Sequence, residues 1–138
     1  MTGYSGTPLA QKLGIKPGTT VVAINAPASY RRLLGKLPAR VKFSHQITEG
    51  MRFIHLFTAE RNELKKMLPI LRQKMAQDGT VWVSWPKKST GVATDVTEDI
   101  IRAIALPLGF VDVKVCAVDS IWSGLKLMIR RENRKSKE

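Results

Sequence analysis

The hydrophobic positions of this chain follow two spacings, one typical of strands and one typical of helices. Short runs rich in Val, Ile, Phe and Trp are bounded by Gly, Pro, Asn or Asp, which predicts buried strands. The predicted strands cover residues 20–25, 41–43, 52–57, 80–85, 110–118 and 125–131. Helical spacing predicts helices near 9–13, at 29–34, at 59–75, and over a segment that ends at Gly109.

The third predicted helix has the clearest apolar face. Leu64, Leu68 and Leu71 recur at helical spacing and would line one side of it. Pro69 lies inside the same stretch and has no backbone N–H to donate. We therefore expect the helix to break at this residue.

Three local signals delimit the second half of the chain. Asp95 with Glu98 three residues later has the spacing of a capping box, which predicts the start of the last helix. Asp78-Gly79 predicts the turn into an apolar strand that we place near the centre of the sheet. The turn at 119–124 is too short for a crossover, so the last two strands should form an antiparallel hairpin.

Strands that alternate with helices predict a single α/β domain in three layers. Its sheet is expected to be open and mostly parallel, with about six strands and an antiparallel C-terminal hairpin. The chain has 138 residues, 43% of them hydrophobic, which is enough for one core. We expect residues 1–19 to pack on the core, 20–131 to form the domain and 132–138 to form a charged tail.

The chain is strongly basic, with 23 Lys and Arg against 11 Asp and Glu and a formal charge of +12. Such a field attracts nucleic acid and other polyanions, although a solvated basic surface would have the same composition. Cys116 is the only cysteine, so no internal disulfide forms and no Cys/His metal spacing exists. We expect a cytoplasmic protein without a structural metal and, since no apolar stretch approaches the roughly 20 residues that span a bilayer, without a membrane partner.

Polar residues follow the predicted strands at the edge where open α/β sheets bind ligands. Asn25 ends the first strand, where its amide could orient a ligand or form an ordinary turn. Lys87 and Lys88 follow the central strand and could bind phosphate or carboxylate, with Ser89 adding a hydroxyl. The segment around Tyr4 could close the same cleft. A solvated loop is the alternative interpretation of the two lysines.

No spacing of residues places a nucleophile beside a base, so the catalytic residues are unknown and an enzymatic activity is left open. His55 alternates with Phe53 and Phe57, which indicates a hydrogen-bonded histidine of the core. Cys116 lies among valines and is interpreted as a small core hydrophobe. Trp82 is expected to be buried in the central strand.

Several motifs carry a resemblance to known domains. The approach to the first strand reads Leu13-Gly14-Ile15-Lys16-Pro17-Gly18, and the central strand begins Asp78-Gly79-Thr80-Val81-Trp82-Val83. With the terminal hairpin, these features resemble a shortened methyltransferase-type Rossmann domain. Three further motifs resemble a small bacterial family of unknown function: they are Tyr4-Ser5-Gly6-Thr7-Pro8-Leu9, Trp85-Pro86-Lys87-Lys88 and Trp122-Ser123-Gly124-Leu125-Lys126.

The resemblance to methyltransferases implies two contacts with S-adenosylmethionine, a glycine-rich turn after the first strand and an acidic residue after the second. The first turn here reads Asn25-Ala26-Pro27-Ala28-Ser29, and the second strand ends Phe43-Ser44-His45. Both contacts are missing, so we expect no cofactor in the usual mode.

Together these observations predict a protein that binds an anionic, nucleotide-like or phosphorylated small molecule at the carboxyl edge of the sheet. Two alternatives stay open. The first is a basic accessory protein that binds RNA or DNA without sequence preference, and the second is a degenerate S-adenosylmethionine-dependent methyltransferase.

Overall fold

The structure is a computed structural model and describes residues 7–135. Within this range the helices are α1 (Leu9–Leu13), α2 (Tyr30–Leu34), α3 (Arg61–Lys74) and α4 (Glu98–Ala105). The strands are β1 (Thr20–Ile24), β2 (Lys42–Ser44), β3 (Met51–Phe57), β4 (Met75–Pro86), β5 (Phe110–Ala117) and β6 (Trp122–Ile129). Short 3-10 helices cover Lys88–Thr90, Leu106–Leu108 and Arg131–Asn133.

The strands form one sheet in the order β2-β1-β3-β4-β6-β5. The first four run parallel, whereas β6 is antiparallel to both β4 and β5. The last hairpin therefore inserts its second strand beside the centre of the sheet and leaves β5 at the edge. This confirms the predicted six-stranded, mostly parallel α/β fold with an antiparallel hairpin.

Hydrophobic side chains cover both faces of the sheet, as expected for parallel strands buried on two sides. On one face, α3 and α4 pack against β3, β4 and β6 through Leu64, Leu68, Leu71, Ile101 and Ala105. On the other face, α1 and α2 pack through Leu9, Ala10, Leu13, Tyr30 and Leu34. The result is the expected three layers, with β3 and β4 between the helices.

Helix α3 is continuous through Pro69, so the predicted break was wrong. Leu64, Leu68 and Leu71 are fully buried on both sides of the proline, and Pro69 itself is exposed. Burial of one continuous apolar face therefore outweighs the backbone hydrogen bond that the proline removes.

The predicted turn at Asp78-Gly79 was also wrong, because these residues lie inside the long strand β4. The pairing of β3 with β4 shifts register between Met51 and Phe53. At that irregularity, the position of a Cβ on Gly79 would be 3.0 Å from the carbonyl oxygen of Met51. Glycine is thus required by a close approach of two backbones.

The cap of α4 is Thr97, not Asp95. The Thr97 hydroxyl oxygen accepts a hydrogen bond from the N–H of Ile100 at 3.2 Å. Asp95 serves α3 instead, because its Oδ1 accepts from the N–H of Arg61 at 2.7 Å. Sequence proximity favoured the wrong helix, since the loop before α4 folds back onto the start of α3.

Two core assignments differ in outcome. Trp82 is fully buried, as predicted, and its Nε1 donates to the carbonyl oxygen of Leu13 at 2.9 Å. Cys116 is half-buried and packs against the core on the α1 face, so it lies at the margin of the core rather than in its interior. The reason is that β5 is the edge strand, where Val113 and Val115 are each 48% exposed.

We expect Pro69→Ala to stabilise the protein by about 1–3 kcal/mol, because the alanine restores a helical N–H donor and removes the clash of the ring with the preceding turn. The gain is reduced by the greater entropy of the unfolded chain. Urea unfolding followed by circular dichroism measures the change. Gln73→Ala, at an exposed position of the same helix, is the control and should change stability by much less. A Pro69→Ala protein no more stable than the parent would contradict the expectation.

Candidate functional site at the carboxyl edge of the sheet

The strand order reverses between β1 and β3, because β2 lies on one side of β1 and β3 on the other. At such a point the two connections leave the sheet in opposite directions and open a crevice beyond the carboxyl ends of the strands. Asn25 follows β1 at this place, and Thr58 follows β3. The predicted location of Asn25 at a strand end agrees with the structure.

Asn25 has a backbone φ of +59°, in the left-handed region that asparagine tolerates better than most residues. Its side chain is exposed, and Nδ2 donates to Oε2 of Glu63 at 3.2 Å. The amide is therefore held toward the first turn of α3 rather than free to rotate.

Glu63 connects the two strand ends. Its Oε1 accepts a hydrogen bond from the hydroxyl of Thr58 at 2.5 Å, while the Thr58 oxygen accepts from the N–H of Glu60 at 3.2 Å. We call Asn25, Thr58 and Glu63 the switch-point cluster. It presents amide and carboxylate oxygens that can accept hydrogen bonds from hydroxyl or ammonium groups of a ligand.

Sequence reasoning predicted the strand that ends at Phe57 but missed Thr58 and Glu63 as site residues. A usable signal existed, since Thr58 is the first polar residue after an apolar strand and Glu63 lies in the first turn of the following helix. Glu63 and Asn25 are 38 residues apart in the sequence. They meet only because the chain crosses from β1 to β3 and on into α3, and local spacing does not reveal such a contact.

The lysines after β4 occupy the same edge of the sheet but do not contact Asn25 through any hydrogen bond. Lys87 is half-buried, and its Nζ donates to the carbonyl oxygen of Asp119 at 2.8 Å, in the turn between β5 and β6. Lys88 and Ser89 are exposed in the 3-10 helix that follows. Because β3 separates β1 from β4, the two strands lie roughly 10 Å apart across the sheet, and β4 continues three residues past Val83, which is level with Ile24, adding roughly 10 Å along the strand.

The segment after the 3-10 helix closes over the start of α3. The hydroxyl of Thr94 donates to the carbonyl oxygen of Ala59 at 2.8 Å, and the N–H of Asp95 donates to the same oxygen at 3.3 Å. Val96 is buried beside them. These bonds fix the connection between β3 and α3, next to Thr58 and Glu63. The Thr94 hydroxyl therefore stabilises the fold.

Tyr4, the remaining predicted site residue, lies outside the described residues. Within residues 7–135, no group of three or more His, Cys, Asp or Glu side chains is placed to hold a metal ion. Over the same range, no helix has the length and apolar character needed to cross a bilayer.

A second polar array lies entirely inside the protein, below the carboxyl edge. His55 on β3 is bound on both ring nitrogens, with Nδ1 2.8 Å from the Tyr30 hydroxyl and Nε2 2.7 Å from Oγ of Ser84. His55 and Ser84 are fully buried, Tyr30 is 4% exposed, and the ring of Phe57 stacks on the imidazole at 4.2 Å. His55 is thus confirmed as a hydrogen-bonded core histidine.

Burial decides the charge states of this array. Desolvation lowers the pKa of His55 from 6.5 to about 3 and raises the pKa of Tyr30 above its ordinary value. The imidazole is therefore neutral at physiological pH, donating through one nitrogen and accepting through the other. A Tyr-His-Ser arrangement without solvent access serves packing rather than nucleophilic chemistry.

The fold is similar to that of several solved methyltransferases. A Sulfolobus solfataricus protein assigned to the type 11 methyltransferases is 17% identical, with a TM-score of 0.58 over 94% of this chain and 91% of that chain. A SAM-dependent methyltransferase from Aquifex aeolicus is 12% identical, with a TM-score of 0.56 over 86% of each chain. LepI, in a complex with SAM, is 13% identical with a TM-score of 0.54, over 88% of this chain and 39% of its own.

These comparisons show that the chain has a Rossmann-like fold of the methyltransferase type. No family model matches the chain, and no curated protein matches it. At such low identities the likeness extends to the fold alone, so activity must be argued from the site.

The buried imidazole predicts a specific acid sensitivity. Below pH 6.5 the unfolded chain binds a proton at His55 that the folded protein excludes down to about pH 3. The free energy of unfolding should therefore fall by about 1.4 kcal/mol for each pH unit over this window, and this loss should be absent above it. Urea unfolding at a series of pH values measures the slope.

Two variants separate this effect from other titrations. His55→Gln should lower by one the number of protons bound on unfolding, and so reduce the slope of the free energy of unfolding against pH. His45→Gln removes the exposed imidazole and should leave the His55 contribution to the slope unchanged. In the folded parent, the NMR signals of the His55 ring should stay those of a neutral imidazole down to about pH 4. Protonation of His55 near pH 6 in the folded state would contradict the expectation.

Proposed function

We propose that this protein binds an anionic, nucleotide-like small molecule at the carboxyl edge of the sheet, without methyl transfer in the usual mode. The observation that carries the proposal is the switch-point cluster, in which Asn25, Thr58 and Glu63 converge from separate elements at the reversal of strand order. Open α/β sheets bind ligands at this place.

The chemistry of the cluster favours a ligand that carries hydroxyl groups. Glu63 is half-buried, and each of its two oxygens already accepts one hydrogen bond, so the carboxylate is held in one orientation. A carboxylate retains further lone pairs and binds a pair of vicinal hydroxyls well, as in a ribose. A bare phosphate at the same spot would be repelled by the carboxylate.

The anionic part of the ligand is assigned to the end of β4. Lys88 is exposed and forms no ion pair within the described residues, and Ser89 adds a hydroxyl beside it. Lys87 contributes charge while its Nζ also holds the β5–β6 turn. The strand ends are separated by roughly 14 Å when the spacing across the sheet and the longer extent of β4 are combined, which suits an extended ligand with hydroxyls at one end and phosphate at the other.

Trp122 supports a base or another flat group in the ligand. It pairs with Pro86 at the end of β4, is half-buried, and packs edge-on against Phe57 at 5.1 Å. A partly exposed indole beside lysines offers a surface on which a base can stack.

A degenerate S-adenosylmethionine-dependent methyltransferase is the second candidate, because the solved structures that share this fold include such enzymes. The first turn argues against it, since it carries Pro27 and no glycine between Asn25 and Tyr30. The second strand ends in Ser44, whose hydroxyl accepts from the N–H of Gln46 at 3.1 Å, and offers no carboxylate.

The same proposal includes a cytoplasmic location and membership of the small bacterial family that the motifs resemble. The location is supported by the single half-buried Cys116, which needs no oxidising compartment.

A thermal-shift screen tests the proposal, because a ligand that binds only the folded state raises the melting temperature. The compounds are adenosine, AMP, ADP, ribose 5-phosphate and inorganic phosphate. Nucleotides should raise the melting temperature more than either adenosine or inorganic phosphate, since only they reach both parts of the site.

Variants test which side chains bind each end of the ligand. Lys88→Gln should weaken the binding of AMP and ADP but not that of adenosine. Glu63→Gln should weaken the binding of adenosine and of the nucleotides alike. The double variant Lys87→Gln with Lys88→Gln should lose on the order of tenfold or more in nucleotide affinity. Lys66→Gln, exposed on α3, removes the same charge elsewhere and should bind like the parent. The proposal fails if no compound binds, or if Lys66→Gln and Lys88→Gln have equal effects.

For S-adenosylmethionine we expect no binding at micromolar concentrations, because both usual contacts are missing. Isothermal titration calorimetry with S-adenosylmethionine and S-adenosylhomocysteine measures this directly. Micromolar binding of either compound, lost in Glu63→Gln and unchanged in Lys66→Gln, would favour the second candidate over the first.

A further inference from the structure

Three lysines from separate parts of the chain meet on the α1 face of the sheet, away from the carboxyl edge. Lys114 on β5 and Lys126 on β6 are register partners in the antiparallel pair, so their side chains start directly opposite each other. The Nζ atom of Lys126 lies 3.9 Å from the position that a Cβ would occupy on Gly14, at the end of α1. Lys16 follows Gly14 by two residues, and its charge contributes to lowering the pKa of Lys126. We call Lys16, Lys114 and Lys126 the lysine cluster.

This arrangement is unfavourable for the isolated protein. Like charges opposite each other on neighbouring strands destabilise a sheet. Lys126 is also half-buried, and desolvation together with the charges of Lys114 and Lys16 lowers its pKa. A bound anion would offset both effects, because an opposite charge nearby favours the charged form of a lysine.

The described residues do not supply that charge. None of the three lysines forms an ion pair within residues 7–135. Asp112 on β5 faces the opposite side of the sheet, where its Oδ2 accepts from Nε of Arg102 at 2.9 Å. The positive charge of the cluster is therefore available to an external anion.

The positive surface extends beyond the three side chains. A groove of about 310 Å³ is lined by Gly14 and Lys16 and continues to Lys36, in the connection between α2 and β2. The positive surface thus continues from the lysine cluster to Lys36. Several separate positive charges suit an anion with repeated charges better than a single phosphate group.

We propose that the lysine cluster binds the phosphate backbone of a nucleic acid. The net charge of +12 attracts such a polymer, and the cluster supplies local contacts to successive phosphates. Binding should show little sequence preference, because phosphate contacts carry no base information. The proposal does not depend on the carboxyl-edge site, since none of the three lysines is a residue assigned to that site.

Fluorescence anisotropy with a labelled single-stranded oligonucleotide of about 20 nucleotides tests the proposal at about 50 to 200 mM salt. The cluster variant carries Lys16→Gln, Lys114→Gln and Lys126→Gln. The control variant carries Lys65→Gln, Lys66→Gln and Lys135→Gln, all at exposed positions outside the cluster. Both lose three charges, so a general effect of net charge would be the same in each.

The cluster variant should lose on the order of tenfold or more in affinity, and the slope of log K against log salt should become shallower by about 2, whereas the control variant should change much less. Thermal melts show whether each variant is folded, and relief of like-charge repulsion should raise the melting temperature of the cluster variant. In the parent, oligonucleotide binding should raise the pKa of the Lys126 ammonium, measured by NMR.

Several results would overturn the proposal. Equal losses in the two variants would show that binding follows net charge alone. Stabilisation by inorganic phosphate that is present in the parent and lost in the cluster variant, without binding of the oligonucleotide, would assign the cluster to a small anion. Stronger binding to anionic lipid vesicles than to the oligonucleotide, at equal phosphate concentration, would assign it to a membrane surface.

Discussion

The packing of Trp82 at the middle of β4 joins the parts of this fold that are most distant in sequence. Its indole is fully buried, donates to the end of α1 through Leu13, and lies against Gly124 of β6, where a Cβ would be 3.2 Å from the ring. β4 also pairs with β3 and β6 on its two sides. One strand thus aligns the parallel half of the sheet, the inserted hairpin and the N-terminal helix.

The polar groups near the carboxyl edge divide into an interior set and a surface set. Tyr30, His55 and Ser84 satisfy one another in the core, where burial keeps them neutral. Glu63 and Asn25 lie closer to the carboxyl ends of the strands, where solvent reaches them and where the carboxylate oxygens can accept further hydrogen bonds. The same edge of the sheet therefore separates groups that stabilise the fold from groups that can recognise a ligand, and the difference is solvent access.

The two candidate surfaces use opposite electrostatic designs. At the carboxyl edge, a carboxylate and lysines are set apart at the ends of β1 and β4, which suits one ligand with two chemically different ends. On the α1 face, lysines from three segments are brought together without a carboxylate among the described residues. Proteins tolerate such repulsion when other interactions outweigh it, here the burial of β6, which carries Lys126, and the pairing of β5 with it.

The local pattern of apolar and polar residues determined much of the secondary structure and sheet type of this protein. Apolar runs located all six strands, alternation with helices predicted the open sheet, the short turn at 119–124 predicted the hairpin, and the alternation of His55 with phenylalanines indicated its burial. These features depend on the period of a side chain along its own element, which is visible in the sequence. The end of the first strand at Asn25 was predictable for the same reason.

Only the tertiary structure decided which elements meet. Asp95 caps α3 instead of α4, Pro69 remains inside a continuous helix, and Glu63 bonds to Asn25, because crossovers bring these residues together and burial outweighs local preference. The insertion of β6 beside β4 likewise placed Cys116 at an edge and Lys126 beside Gly14. Spacing along the chain carries no record of such contacts, since they arise from the packing of whole elements rather than from neighbours in sequence.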